Sequence, residues 1–346
     1  MELPNDLQTA LNDEVSKANH KQLLDAAQDI SLRYRERSNL KIQSDMDALA
    51  YAVARMPATY GAVYHALGYA LENIKNIKDI KDIKEQSVDN IKSILDIGSG
   101  TGTAVWAARE LLDLDSVVCI ENDVFMRNLG KTLMASHISE PVKNAKWETL
   151  DITTGDLACQ ADLVTASYVI NELEENMQLK VAENLWSAAK KILLLVETGT
   201  PGGYQALNRI RAKLLENGAH ILAPCAHENA CPVTEPDWCH FTCRIQRSRL
   251  HKMAKGGEAP FEDEKYAYLA LIKDSADISS FSHDFAFARI LRHPQIGKGR
   301  VKLNLCTKDG LKQATYTKRD GVIYKLAKKA GCGDKINDKS NQSNIK

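Results

Sequence analysis

No stretch of the chain approaches the ~20 consecutive apolar residues that a membrane-spanning helix needs, so a spanning segment is not expected. The first ten residues, MELPNDLQTA, lack the apolar core of a secretory signal, and Glu2 and Asp6 disfavour a transit peptide. A cytoplasmic protein is therefore expected, with its eight cysteines as free thiols or metal ligands rather than disulfides. Net charge of either sign is missing as well: Lys+Arg is 45 and Asp+Glu is 45, which argues against a uniformly basic nucleic-acid binder. With 44% hydrophobic and 26% charged residues, the chain is neither disordered nor fibrous for most of its length. Its 346 residues, at roughly 150 per domain, suggest about two domains.

The neutral total hides a division. From Arg289 to Lys346 there are 15 Lys+Arg and 4 Asp+Glu, a net of +11. The first 288 residues hold the remaining 30 basic and 41 acidic side chains, a net of −11. An acidic body with a basic end points to a polyanionic partner on one side.

Along the chain, Leu3 to Leu71 reads as helical, with apolar residues at three- and four-residue spacing and one interruption at Pro57. Asn73 to Lys84, NIKNIKDIKDIK, repeats every three residues, a period that drifts around a helix and makes no stable stripe; a polar linker or frayed helix end is expected. From Ile91 onward, SILDIG, SVVCIE, ADLVTASYV and KILLLVET read as strands. TAVWAARELL, VFMRNLGKTLMA, MQLKVAENLWSAAK and YQALNRIRAKLLENG read as the helices between and after them. That alternation implies a parallel sheet covered on both faces. After a Cys-, His- and Pro-rich stretch from Pro224 to His240, strands resume in KYAYLALIK, ARILRHP, GRVKLNLCT and KQATYTK. Phe261-Glu262-Asp263-Glu264 is expected as a turn before the Tyr266 strand, and Lys335 to Lys346 as a disordered tail.

Ile94-Leu95-Asp96-Ile97-Gly98-Ser99-Gly100-Thr101-Gly102 is a buried strand entering a glycine turn and then a helix. Such glycines permit positive φ and close approach of a ligand to backbone, and the helix start offers unpaired N–H groups. The spacing is G-x-G-x-G after an acid, not the dinucleotide-type G-x-G-x-x-G. It resembles the first motif of class I S-adenosylmethionine-dependent methyltransferases. In that resemblance Glu121, 25 residues after Asp96, stands where the ribose hydroxyls are held, and Asp151 where the adenine amino group is held. The expected cofactor-binding set is Asp96, Gly98, Ser99, Gly100, Gly102, Glu121, Asp151, Ile152 and Ser167. No catalytic residue is assigned. Ser167-Tyr168-Val169-Ile170-Asn171-Glu172 lacks the Asn/Asp-Pro-Pro-aromatic sequence of amino-group methyltransferases, and Asn171 and Glu172 are as well explained as a helix start.

Cys225, Cys231, Cys239 and Cys243 are spaced C-x5-C-x7-C-x3-C, with His227 and His240 interleaved. The first two gaps exceed the paired spacing of short zinc sites. Thiols gathered in a loop-rich insertion suit a soft metal centre, zinc or iron–sulfur. Spacing alone does not choose the metal or the four ligands, because Cys306 in VKLNLCTKDG is also available.

Taken together, PC-x5-C-P-x5-WCHF, EDEKYAYL, RILRHP, LCTKDG and, near the N-terminus, RMPATY resemble the Rsm twenty-two/methyltransferase-like seventeen family of small-ribosomal-subunit assembly factors. The resemblance runs from Leu3 to about Asp334. It implies an α/β fold: a Rossmann-like class I methyltransferase sheet with an N-terminal helical region, a Cys-rich metal-binding insertion and a small C-terminal β extension. It implies S-adenosylmethionine at the glycine loop and a [4Fe–4S] cluster on Cys225, Cys231, Cys239 and Cys306, with Cys243 spare and zinc as the alternative metal. The implied partners are small-subunit rRNA and the pre-small-subunit particle; no membrane is implied, and the protein is expected as a monomer off the ribosome. In a eukaryote the location would be the mitochondrial matrix. Methyl transfer is undemonstrated or lost in some members, so the enzymatic status stays open between an assembly factor and an active rRNA methyltransferase.

RNA contact is expected from Arg244, Arg247, Arg249, Lys252 and Lys255, sharing a broad face if that segment is helical, together with Arg289, Arg292, Lys298 and Arg300. The expected division of the chain is 1–85 helical, 86–222 cofactor core, 223–288 cluster insertion and return strand, 289–334 basic β region and 335–346 tail.

Overall fold

The computed structural model describes residues 1–35, 41–81, 88–155, 157–255, 257–273 and 287–337. Three helices lead: α1 (Asn5–Lys17), α2 (His20–Arg35) and α3 (Asp45–Lys81). The core follows as β1 (Ser93–Ile97), α4 (Thr103–Arg109), β2 (Ser116–Ile120), α5 (Val124–Met134), α6 (Glu140–Lys143), β3 (Lys146–Glu148) and β4 (Ala161–Ser167). Next come α7 (Glu175–Ala188), β5 (Ala189–Thr198), α8 (Pro201–Glu216), β6 (Ala219–Ala223), β7 (Phe241–Gln246), α9 (Arg249–Lys255) and β8 (Phe261–Lys273). The C-terminal part is β9 (Phe287–Ile290), β10 (Gln295–Gly297), β11 (Arg300–Thr307), β12 (Gly310–Thr317), α10 (Val322–Lys329) and β13 (Lys335–Asn337).

The main sheet runs β3-β2-β1-β4-β5-β8-β6, with β7 also on β8. Strands β1 to β5 are mutually parallel, and β8 is antiparallel to β5, β6 and β7. An antiparallel strand between the fifth and sixth is the class I methyltransferase sheet expected from the sequence. Alternate side chains feed two cores, as the two-residue strand period requires. Ile94, Leu163, Ile192 and Leu194 pack with α1, α3 and α4, whereas Leu95, Val164, Leu193 and Leu195 pack with α7 and α8. A parallel sheet covered on both sides explains why β5 carries the unbroken apolar run ILLLV. The second sheet, β10-β11-β9-β13 with β12 on β11, is antiparallel. Among the described residues no helix is long and apolar enough to cross a membrane.

Four local expectations are corrected. The three-residue repeat is no linker at its start: α3 continues through Lys81, and Asn73 is buried, donating to Leu222 O and accepting from Lys335 Nζ at 2.9 Å. A helix already anchored by tertiary packing propagates through a weak pattern; residues 82–84 lie outside the described residues. Arg244 to Lys255 is not one helix. FTCRIQ alternates buried and outward side chains and forms β7, leaving only Arg249–Lys255 helical. Phe261 to Glu264 is not a turn but the start of β8, paired with Gln246 to Cys243. The tail begins later than residue 335, because Lys335–Asn337 pairs with β9; residues 338–346 lie outside the described residues.

Candidate functional site

The glycine turn after β1 is held from several sides. Gly98, Gly100 and Gly102 have φ of 61°, 55° and 79°, values that need glycine. A Cβ on Gly98 would meet Val169 Cγ2 at 2.4 Å, so the next crossover also requires a bare backbone there. Ser99 Oγ donates to Asp96 O at 2.8 Å, tying the turn to its own strand. Asp96 is buried beneath the loop; Thr165 Oγ1 donates to its Oδ1 at 2.6 Å, while Oδ2 has no partner among the described residues. Burial pushes its carboxyl up to about 7 against the pull of those hydroxyls. At the end of β2, Glu121 accepts from Gly100 N at 2.7 Å and from Asp123 N at 2.8 Å, and burial raises its carboxyl as well.

These residues border a cavity of about 370 Å³, within the usual range of small-molecule sites. Gly98, Gly100, Glu121, Asp151, Ile152 and Ser167 line it. Of the remaining expected residues, Asp96 and Ser99 brace the loop from behind and Gly102 caps α4. Asp151 is exposed at the rim and holds Thr153 N and Oγ1, which depress its carboxyl. Ser167 Oγ is buried without a partner among the described residues. Tyr168, at φ 62°, turns the chain so that its neighbours Ser167 and Val169 also face the cavity. Its own hydroxyl donates to Glu264 Oε1 at 3.2 Å. Ile42 and Tyr51, from the N-terminal helical part, line the same cavity. Sequence reasoning missed them, because nothing local marks a side chain that reaches a site fifty residues downstream.

The Cys-rich loop leaves the sheet at β6 and returns at β7, both on the same edge of β8, so its base is closed by backbone pairing. Helix α8 fixes its middle: Arg211 Nη2 donates to His227 O at 3.1 Å and Asn229 O at 2.7 Å, and Tyr204 Oη to Val233 O at 3.0 Å. Tyr204 Oη also donates to Cys231 Sγ at 3.3 Å. Trp238 Nε1 donates to Gly199 O at 2.8 Å. Cys225, Cys231 and Cys239 line one small hollow, and Cys306 packs with Cys231, Cys239, Val233 and Leu291. The four thiols feel one another. Burial pushes Cys306 up to about 12, with the charges of Cys225 and Cys231 adding to it; burial raises Cys239, with Cys225, Cys231 and Cys306 adding. Arg211 and Arg289 oppose this at Cys225 and Cys306. Among the described residues, no three His, Cys, Asp or Glu side chains are gathered so as to hold a metal ion. Cys243 lies elsewhere, buried on β7 against Gly61 of α3.

The basic residues expected on RNA divide sharply. Arg289 is 1% exposed: Nε donates to Pro224 O at 2.8 Å and Nη1 to Gly333 O at 2.7 Å, so it is a buried tie and not an RNA contact. Arg244 forks onto Asp263 at 2.7 and 2.8 Å. Arg247 (3.2 Å) and Lys255 share Glu262, and Arg292 pairs with Asp237. Arg249, Lys298 and Arg300 are exposed and Lys252 is half-buried.

Comparison with known proteins places the chain among relatives. Residues 45–337 match the model of a family described as mitochondrial small ribosomal subunit Rsm22. The human ribosome assembly protein METTL17, mitochondrial, is 25% identical over 260 residues, 70% of this chain and 55% of that protein. Rsm22-cox11 tandem protein 2, mitochondrial, of Schizosaccharomyces pombe is 23% identical over 340 residues, 85% of this chain and 43% of that protein. The chain thus spans about half the length of the curated relatives it matches. A solved structure of magnesium protoporphyrin IX methyltransferase from Synechocystis PCC 6803, with bound SAH, overlaps 70% of this chain and 93% of that one at 14% identity and a TM-score of 0.37.

Proposed function

From the chain's membership of the Rsm22 family, we propose that it serves in assembly of the small ribosomal subunit, binding rRNA, with S-adenosylmethionine and an iron–sulfur cluster as its ligands. The observation that carries the reading is the coexistence, in one family-matched chain, of the acid-flanked glycine cavity and the four-thiol loop.

S-adenosylmethionine fits the cavity at an unsatisfied atom of its lining. Ser167 Oγ is buried without a partner among the described residues, and such a group costs free energy until something bonds it. Glu121 would take the ribose hydroxyls and Asp151 the adenine edge, while Gly98 lets the ligand approach the backbone. The cofactor supplies an electrophilic methyl group when bound. No side chain at the cavity is assigned to accept or remove a proton, so methyl transfer is not part of the proposal. Incubation of the chain with radiolabelled cofactor and immature subunits decides that alternative: label in rRNA would make it an active methyltransferase.

Cys225, Cys231, Cys239 and Cys306 would hold the cluster. Their chemistry supports it: four thiols in mutual electrostatic reach are costly to ionise alone, and a multivalent metal centre removes that cost. Cys225, Cys231 and Cys239 line one hollow and Cys306 packs with two of them, so these are the residues that would hold it. Two buried guanidiniums, Arg211 and Arg289, would offset the negative charge of the liganded cluster. The cluster's role here is structural: it would join the loop to β11. Co-sedimentation with immature small subunits at low salt tests the whole reading, and its absence overturns it.

A further inference from the structure

The C-terminal sheet sorts its side chains by the two-residue strand period. Val301, Leu303, Leu305 and Tyr316 point to one side and pack with Ala327 of α10. Arg300 and Lys302 point to the other side and are exposed. They stand opposite Thr317 and Thr315 of β12, and Asn304 stands opposite Gln313. Cys306 shares their parity, and at that end the cysteine loop covers the face. At ~3.3 Å per residue, Lys302 lies about 13 Å and Arg300 about 20 Å along β11 from the thiol. The basic ladder is therefore an extension of the strand that the loop clamps.

The β10–β11 turn adds Lys298. Lys318 lies beside it, its amide donating to Gly299 O at 3.2 Å and its side chain passing Gly299. Arg319 follows. Lys298, Arg300, Lys302, Lys318 and Arg319 are all exposed, and none has an acidic partner among the described residues. By contrast, Arg244, Arg247, Lys255 and Arg292 already hold carboxylates. The basic end thus gathers five exposed cations on this face, while Lys325, Lys328 and Lys329 are exposed on α10 on the other side. The outward positions of β10, β11 and β12 carry no aromatic residue, since Tyr316 is turned inward and buried. Single-strand readers stack bases on aromatic rings; a face of cations, threonines and amides has none to offer.

We infer that this outer face of the C-terminal sheet binds the sugar–phosphate backbone of double-stranded RNA without reading its sequence. Arg300, Lys302, Lys298 and Lys318 bond phosphates, and Thr315, Gln313 and Asn304 reach 2′-hydroxyls across the shallow minor groove. The inference rests on the assembly reading but is tested apart from it. The probes are an RNA duplex of about 20 base pairs, a second duplex of unrelated sequence and one of the single strands. Binding to the full chain is followed by fluorescence anisotropy across a salt series.

Both duplexes are expected to bind alike and the single strand more weakly. Arg300→Gln with Lys302→Gln should make the slope of log K against log salt shallower by about 2, and so weaken binding roughly 30- to 100-fold near 0.1 M salt. Lys325→Gln with Lys328→Gln removes the same charge from α10, which covers the other side of the sheet, and should leave the slope within about 0.5 of the parent's. All four side chains are exposed, so both variants should keep the parent's melting temperature. Equal or tighter single-strand binding overturns the inference. So does an equal loss from the α10 pair, or duplex binding indifferent to Arg300 and Lys302, the result expected if an acidic protein covers this face. A chain that still co-sediments with immature subunits after such an outcome has lost this face assignment only. A parent chain that never co-sediments has lost the assembly reading.

Discussion

Replacing Arg289 with Met should loosen the junction between the two sheets more than any surface change of the same size. The guanidinium serves Pro224 O and Gly333 O, both on buried residues, and lies over the rings of Tyr69 and Phe287 at 5.4 and 5.0 Å. Methionine keeps most of the apolar contact but leaves two buried carbonyls unpartnered, at ~1–3 kcal/mol each. Against this, removing a buried charge recovers part of its desolvation cost. The loss therefore falls near the low end of the summed penalty, about 3 kcal/mol, or roughly two decades in a local opening equilibrium. The amides that report it are Ile290 N, bonded to Asp334 O at 3.0 Å, and Gly333 N, bonded to Ile290 O at 2.8 Å. Native-state hydrogen exchange on anaerobically purified protein should show both exchanging about 100-fold faster. Arg289→Lys keeps the charge and one donor direction, so it should fall between parent and Met. If the Met variant protects these amides within tenfold of the parent, the buried tie contributes little and the reasoning is refuted.

Gly98→Ala places a methyl group 2.4 Å from Val169 Cγ2 at a φ of 61°; a loss of about 2 kcal/mol in stability and at least tenfold in S-adenosylmethionine affinity is expected by thermal melting and calorimetry. Glu197 is fully buried, accepts from Ile170 N at 2.7 Å, and burial pushes its carboxyl up to about 8. The folded chain therefore holds a proton that the unfolded chain releases near pH ~4.3, so this group's contribution is complete below that pH and is lost as pH rises to about 8, by at most ~5 kcal/mol. Glu197→Gln should flatten the fall in denaturation midpoint between pH 5 and 8, and an unchanged slope would count against the burial argument. Cys306→Ser should abolish iron and sulfide binding in protein purified without oxygen, while Cys243→Ser, packed against α3, should retain both; colourless parent protein with stoichiometric zinc would replace the cluster by a zinc site.

Much of this was legible in the sequence because it was local. Strands β1, β2, β4 and β5 announce themselves as apolar runs, since a parallel sheet buries both of their faces. The acid before Gly98 and the acid ending β2 are fixed by strand and turn chemistry. What escaped depends on distant partners. Strand β7 was hidden because FTCRIQ sits among basic residues whose spacing also suits a helix, and only pairing with β8 decides between them. Asn73 reads as linker in sequence, yet its amide is held by Leu222 O, 149 residues away. Charge is the least local property of all. Counting Lys and Arg from residue 289 treats every cation as available, yet availability is set by acids brought in by the fold. Asp263 reaches Arg244 across a strand pair, and Asp237 reaches Arg292 from the cysteine loop. Arg289 has no carboxylate partner among the described residues; two carbonyls and the rings of Tyr69 and Phe287 hold it. Net charge therefore marks a basic end of the chain but not which of its residues are exposed; of those expected there, Lys298 and Arg300 are and Arg289 is not. The cations left over include those on β11 and the turns beside it, where the opposing strand supplies threonine and glutamine instead of aspartate and glutamate, besides the exposed lysines of α10. A sequence pattern can show this only once the register is known, because a slip of one residue would bury Arg300 and Lys302 and turn Val301 and Leu303 to water.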